Sequence, residues 1–217
     1  MPRPSYFDID PADVDADGIA EAQTIATGGA SLTLNGALCD AGTAAQFDIG
    51  DAYSAGIGGV QIVVTPTASE SANFTVTGKN QDGEDVTEVI AITTNTAVES
   101  TTYWSQITAI AADAGTTTDI SVGTVDEIVS RVFPLNWRNR EPATYVVSGL
   151  TGTISYNIEE TFDNTATQAS TALNWIDHTA TAGADAARAG TLHARGVRIK
   201  SNSYTNGAEF QFGILQN

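Results

Sequence analysis

The chain has 217 residues, of which 41% are hydrophobic, and a formal net charge of −17. This length and composition allow a buried core, so a disordered tail is excluded. The charge is uneven, because residues 1–130 hold 19 acidic and 2 basic residues whereas residues 131–217 hold 7 of each. A negative field repels phosphate backbones and anionic lipids, which argues against nucleic-acid or membrane binding by the first 130 residues.

The residue types favour an all-β protein. Strong helix formers are scarce, and Thr and Gly recur in short runs separated by Asn, Asp and Gly. Nowhere do 18 apolar residues run together, and no basic stretch precedes an apolar one near residue 1, which predicts neither a membrane span nor a signal peptide. Cys39 is the only cysteine, so an internal disulfide and a cysteine zinc site are both excluded, and we expect no cofactor.

Residues 1–45 are acidic and rich in small side chains, and we interpret them as an N-terminal arm. Within this arm the pattern predicts a short helix over 16–26 and a strand at 32–34 that ends at Asn35-Gly36.

Residues 46–130 contain strand signals in series and form the first predicted β domain. The clearest is the hairpin TVTGKNQDGEDVTEVIAI at 75–92, where polar and apolar residues alternate on both sides of the turn dipeptide Asp82-Gly83. The predicted strands of this domain are 59–65, 73–78, 86–93, 103–111 and 119–122.

Residues 131–145 interrupt the pattern with prolines, arginines and Trp137, and we interpret them as a linker. A second β domain follows at 146–217, where Asn206-Gly207 supplies a strong hairpin turn. Its predicted strands are 145–149, 152–160, 173–178, 196–204 and 208–216. The predicted architecture is two antiparallel β-sandwich- or barrel-like units in tandem, and a single body of two sheets is the alternative.

The segment Asp13-Val14-Asp15-Ala16-Asp17-Gly18 matches the opening of a calcium-binding EF-hand loop. The match ends there, because the twelfth position is Thr24 and Pro11 precedes the loop. The competing interpretation is an acidic helix N-terminus whose carboxylates cap free amides. Asp13, Asp15 and Asp17 are therefore a weak candidate metal site.

Residues for catalysis are few. The two histidines, His178 and His193, lie in no nucleophile or metal-ligand pattern. Glu159 and Glu160 are adjacent on a predicted strand, so their side chains point to opposite faces and do not form an acid–base pair. The sequence predicts that the protein is not an enzyme.

Basic residues concentrate in the C-terminal part, where Arg198 and Lys200 share one face of a predicted strand and Val197 and Ile199 share the other. One interpretation is a solvated face, and the other is a contact with the acidic front of a neighbouring copy. Trp137, beside Arg138 in a proline-flanked segment, is the aromatic residue we expect to be exposed. The predicted interface residues are Trp137, Arg138, Arg140, Arg195, Arg198 and Lys200.

Several short segments of the sequence resemble a pattern found in virion proteins of tailed bacteriophages. The first group is NFTVTG (73–78), QDGEDVTE (81–88) and YWSQITAI (103–110). A second group near the end is TISYNIE (153–159), NWIDH (174–178), VRI (197–199) and GILQ (213–216). The resemblance covers about residues 20–217.

The resemblance implies a structural component present in many copies on a virion, most like a head decoration or cement protein, with no catalytic residues. The expected location is the exterior of the head, after assembly in the host cytoplasm. The expected partners are the major capsid protein and copies of the chain itself in a homo-oligomer, of which a trimer is one form. One alternative is a neck, tail or fibre-associated subunit, and another is a calcium- or carbohydrate-binding adhesive β-sandwich.

Overall fold

The structure, a computed structural model, describes residues 5–40, 44–47, 58–138, 141–182 and 184–216. Across these ranges the chain forms 17 β-strands, one 3₁₀ helix at Ser170–Ala172 and no α-helix. The predicted all-β class is confirmed. In chain order the strands are Ser5–Ile9 (β1), Ala20–Gln23 (β2), Cys39–Asp40 (β3), Ala44–Gln46 (β4), Gly58–Pro66 (β5), Ala72–Asn80 (β6), Asp85–Ile92 (β7), Val98–Glu99 (β8), Trp104–Ala112 (β9), Ile120–Ser130 (β10), Phe133–Pro134 (β11), Thr144–Thr151 (β12), Ile154–Thr161 (β13), Ile176–Ala182 (β14), Ala186–Ala189 (β15), Gly196–Tyr204 (β16) and Glu209–Leu215 (β17).

Strands β6 and β7 form the hairpin that the alternating pattern predicts. They pair in antiparallel register from Ala72↔Ile92 to Lys79↔Asp85. Gly83 adopts a φ of 79°, a left-handed conformation that glycine adopts without strain, and the Asn80 side chain accepts hydrogen bonds from the backbone N–H groups of Asp82 and Glu84. The turn residues therefore fix the register of the hairpin.

The strands belong to two antiparallel sheets. In the larger, 13-stranded sheet the main order is β14-β13-β16-β10-β5-β9-β4-β3, with β6 and β7 continuing from β9 and with β2, β8 and β11 attached to β10, β5 and β16. The smaller sheet has the order β1-β17-β12-β15. The N-terminal strand β1 thus pairs with the C-terminal strand β17.

Aromatic side chains fill the space between the smaller sheet and the C-terminal part of the larger one. Phe7 stacks on Phe133 with ring centroids 4.2 Å apart, and Phe133 in turn contacts Phe212 at 5.9 Å. Tyr156 stacks on Phe210 at 6.0 Å. These contacts join the inner faces of the two sheets in a β-sandwich-like arrangement.

Strand β10 connects the two predicted β domains. Along one edge it pairs with β5, from Ile120↔Pro66 to Ser130↔Gly58. Its other edge pairs first with β2, through Ile120 and Val122, and then with β16, through Ile128 and Val129. One sheet therefore runs through residues assigned to both domains.

The predicted linker also lies within the body. β11 pairs with β16, the backbone N–H of Leu135 donates to the carbonyl of Arg195, and the side chains of Phe133 and Leu135 are buried. The linker prediction rested on prolines, arginines and Trp137, but Pro134 is the last residue of the short strand β11, where it pairs with Gly196.

The N-terminal segment packs against the stretch of β10 that lies between its pairings with β2 and β16. Thr124 donates its backbone N–H to the carbonyl of Asp15, and its hydroxyl accepts from the Asp15 N–H and donates to the Asp13 carbonyl. A Cβ atom at Gly123 would lie 2.0 Å from the Asp15 oxygen, so only glycine permits this approach. The segment is part of the body.

The predictions inside residues 16–34 were wrong. The stretch predicted as a helix contains β2, because Ala20 and Gln23 pair with β10 and the backbone N–H of Ile19 donates to Val122. The stretch predicted as a strand at 32–34 lies outside any strand. The backbone N–H of Leu32 donates to the carbonyl of Ile110 on β9, and the side chain of Gln23 accepts from the N–H of Thr33 and donates to its carbonyl.

Thr124→Val should destabilise the fold by about 1–3 kcal/mol, because it leaves the part-buried Asp15 N–H without its hydroxyl partner while keeping the shape of the side chain. Urea denaturation of the two proteins measures the difference. The control is Thr108→Val, where the exposed hydroxyl also donates to a carbonyl, that of Thr77. Equal loss of stability in both variants would contradict the role given to Thr124.

Glu70 links the β5–β6 connection to the loop before β10. Its carboxylate accepts hydrogen bonds from the backbone N–H groups of Ser71, Thr117 and Thr118 and from the Thr117 hydroxyl. These hydrogen bonds, that from Ser71 first, hold the pKa of Glu70 below its ordinary value.

A carboxyl group with a lowered pKa stabilises the fold at pH values above its ordinary pKa of 4.5, and this contribution is lost as the pH falls through the lowered value. Glu70→Gln should therefore lower the melting temperature at pH 7, and the gap from the parent protein should narrow below about pH 4.5. Melting curves from pH 7 to pH 3 test this, with the exposed Glu99→Gln as control. A gap that does not change with pH would contradict the prediction.

Candidate functional site

Three of the predicted interface residues come together, and we call Trp137, Arg138 and Arg195 the Trp137 cluster. Trp137 is 41% exposed, and two guanidinium groups contact its ring, with the Cζ atoms of Arg138 and Arg195 at 4.9 and 4.8 Å from the ring centre. This geometry is that of paired cation–π contacts. Arg140, the fourth predicted residue of this segment, lies outside the described residues.

Backbone and amide hydrogen bonds hold the Trp137 cluster in place. The side chain of Gln216 accepts from the N–H of Asn136 at 2.9 Å and donates to its carbonyl at 3.2 Å. A ring nitrogen of His193, a residue in the left-handed conformation with a φ of 70°, lies 2.9 Å from the Trp137 carbonyl oxygen. These hydrogen bonds hold the backbone that carries the exposed ring.

Arg198 and Lys200 do not join this cluster. Their alternation with Val197 and Ile199 is confirmed, since the two aliphatic side chains are buried. Arg198 donates through Nε to Glu159 at 2.5 Å, and its guanidinium lies 4.0 Å from the centre of the Trp175 ring. Lys200 lies 5.8 Å from the ring centre of Tyr103. The predicted interface residues therefore divide into the exposed Trp137 cluster and a separate pair, Arg198 and Lys200, which is only partly exposed.

The smaller sheet carries opposite charges at its two ends. The Trp137 cluster lies at the end where β17 finishes, through the contact of Asn136 with Gln216. At the start of β17, a groove of about 360 Å³ is lined by Asp8, Asp10 and Glu209, and we call it the acidic groove. Asp8 accepts a hydrogen bond from Gln211 there.

The three aspartates of the calcium-like motif are engaged in local structure. Asp13 accepts the backbone N–H of Gly207 at 2.9 Å, and Asp15 accepts that of Asp17 at 3.2 Å. The pKa of Asp17 is raised, first by its hydrogen bond with Asp15 and further by the charges of Asp15 and Glu21. The helix that the competing interpretation required does not form, but the carboxylates do cap free amides. Among the described residues, no three His, Cys, Asp or Glu side chains are grouped to hold a metal ion.

The remaining candidate residues for catalysis make hydrogen bonds and an ion pair within the fold. The two carboxylates of Glu159 and Glu160 have different partners, since Glu159 pairs with Arg198 while Glu160 accepts from the hydroxyl of Tyr145 at 2.6 Å and from the N–H of Thr191. Burial, and then this hydrogen bond, raise the pKa of Tyr145. A ring nitrogen of His178 lies 2.5 Å from a backbone carbonyl oxygen. The prediction that the two glutamates face apart agrees with these contacts.

The sequence did not predict a second group of residues, which surrounds Arg198. It combines Trp175 with Gln81 and Tyr103 from the other half of the chain. Of these residues, only Arg198 was among the predicted interface residues. No local signal connects Gln81 with Ser170, whose side chains share a hydrogen bond across 89 positions.

No protein-family model, curated protein or solved structure matches the chain. Within the described part of the chain, no helix has the length and apolar character needed to cross a membrane.

Arg198→Met should destabilise the protein by about 3 kcal/mol, because it leaves the nearly buried carboxylate of Glu159 unpaired. The double variant Glu159→Gln/Arg198→Met should recover most of that loss, since no charge then remains without a partner. Chemical denaturation of the single and double variants measures both effects.

The control is Lys79→Met, which breaks an exposed pair with Asp85 whose side chains are 42% and 88% exposed. Its effect should stay within about 0.5 kcal/mol. A loss at Arg198 no larger than that at Lys79 would show that the half-buried pair does not stabilise the fold.

Proposed function

We propose that the chain is a structural protein of a tailed-bacteriophage virion, most like a head decoration or cement protein. It would stabilise the shell by binding to neighbouring proteins, without chemistry. The observation that carries this proposal is the Trp137 cluster, an exposed aromatic ring in contact with two guanidinium groups on a chain of net charge −17. The resemblance of the sequence to virion proteins supplies the setting.

The Trp137 cluster has the properties of a protein-binding hot spot. Trp and Arg dominate the binding energy of protein interfaces, and a side chain that is already ordered loses little entropy when it becomes buried. The exposed Leu192 precedes His193, which contacts Trp137, and adds apolar surface nearby. A flat ring flanked by positive charge fits an apolar pocket with an acidic rim.

The proposed partners are the major capsid protein and further copies of this chain in a homo-oligomer, for which a trimer is one form. A surface with net negative charge elsewhere disfavours nucleic acid and anionic membranes as partners. Stable protein interfaces bury about 1,600 Å², and repetition of one contact over a lattice multiplies its effect. The shell would resist internal pressure because opening it requires separating many such contacts.

The first test is composition and location. Mass spectrometry of purified tailed-phage particles from the source culture should find the chain at hundreds of copies per particle, and cryo-electron microscopy should place it on the head exterior. A dozen copies or fewer at the neck or tail would favour the alternative subunit. Absence from all particles would overturn the virion role.

The second test uses the cluster itself. Particles produced with Arg138→Glu/Arg195→Glu should carry at least about tenfold less of this chain and should break at lower temperature, because the reversed charges repel an acidic partner. Quantitative gel analysis and thermal disruption measure both effects. Lys79→Glu reverses a charge on the β6–β7 hairpin and should leave occupancy unchanged. Normal occupancy of the double variant would exclude the Trp137 cluster as the contact.

A further inference from the structure

A cavity of about 340 Å³ opens where the two halves of the larger sheet meet. Four separate parts of the chain line it: the β6–β7 turn, the loop before β9, the stretch from the 3₁₀ helix to β14, and β16. Their lining side chains include Gln81, Thr102, Tyr103, Thr171, Trp175 and Arg198. Pockets formed by rigid elements at such junctions are the usual location of small-ligand sites.

Hydrogen bonds fix two of the walls. The carboxylate of Glu88 accepts from the backbone N–H and hydroxyl of Thr101, at 2.7 and 2.9 Å, and from the N–H of Thr102 at 3.0 Å. The buried amide of Gln81 donates to the Ser170 hydroxyl at 2.9 Å. The cavity is therefore formed in the absence of a ligand, which lowers the entropic cost of binding.

Trp175 and Arg198 form the third wall. The guanidinium of Arg198 lies 4.0 Å from the Trp175 ring centre and is paired with Glu159. The indole N–H of Trp175 donates to the Ser170 carbonyl at 3.5 Å. Two aromatic rings, those of Trp175 and Tyr103, thus border a space whose other lining groups are hydroxyls, an amide and the guanidinium.

The charged groups around the cavity already have partners. Glu159 pairs with Arg198, Glu88 accepts from Thr101 and Thr102, Glu127 accepts from the Tyr103 hydroxyl at 3.0 Å, and Lys200 lies 5.8 Å from the centre of the Tyr103 ring. A phosphate or carboxylate ligand requires cations that are free to bind it, whereas here the lining guanidinium already has a carboxylate. A purely apolar ligand would leave hydroxyl and amide groups without partners, which is costly.

We infer that this cavity binds a neutral saccharide. The ring of such a sugar presents C–H groups to an aromatic side chain and hydroxyls to amide, hydroxyl and guanidinium groups, and the cavity offers both kinds of surface. The Trp175 and Tyr103 rings contact the apolar face of the sugar, and Gln81, Thr102, Thr171 and Arg198 bind its hydroxyls. Such a site would function whether or not the chain belongs to a virion.

The test is binding of the purified full-length chain to an array of glucose-, galactose- and N-acetylglucosamine-containing oligosaccharides, followed by calorimetric titration of the best neutral binder. Trp175→Ala removes an aromatic wall, and Thr171→Trp fills the cavity from an exposed position without removing a buried group. Each should weaken binding by at least about tenfold. Trp137→Ala removes an exposed tryptophan outside the cavity and should leave affinity within about twofold of the parent.

Several outcomes would overturn the inference. They are no neutral saccharide bound at millimolar concentration, binding restricted to sialylated or sulfated glycans, or equal loss of affinity in Trp137→Ala. If Trp175→Ala and Thr171→Trp instead abolish self-association or attachment to particles, the cavity receives a side chain of a neighbouring protein. Melting curves establish that each variant is folded, and Thr171→Trp provides the test should Trp175→Ala fail to fold.

Discussion

The backbone pairing of β10 holds the fold together. This strand takes its neighbours from three distant parts of the chain, through β2, β5 and β16, and it also receives the segment around Asp15 against its remaining edge. Contacts of such high sequence separation form only after long loops have closed, so we expect folding to be slow and concerted. The same topology places Gln81 beside Ser170 and so creates the cavity.

The sequence predicted the strands of the chain wherever the alternation of polar and apolar residues is a local property. β6, β7 and β16 lie within two residues of their predicted bounds, because each has a buried face of alternate residues and a glycine turn beside it. Residues 16–34 could not be predicted in this way. The partners there are Val122 on β10, Ile110 on β9 and the side chain of Gln23, and none of them leaves a periodic signal.

In the candidate sites, too, only the contacts between sequence neighbours were predictable. Trp137 and Arg138 are neighbours in sequence, so their contact was predictable, whereas Arg195 reaches the same ring only because β11 pairs with β16. Arg198 was identified by its charge, but its partners Glu159 and Trp175 depend on the β13–β16 register and the 3₁₀ helix. Charge can be read from a sequence, but the group that balances it is set by tertiary structure.

The charged ends of the smaller sheet have a consequence for how molecules meet. Strand β17 separates the acidic groove from the Trp137 cluster by its seven residues, or about 24 Å. Each copy carries a net charge of −17, so two copies repel at long range, and the opposite charges at the two ends only favour one orientation once they are close. Added salt screens the repulsion, so moderate ionic strength should speed the encounter of two copies while weakening that preference of orientation.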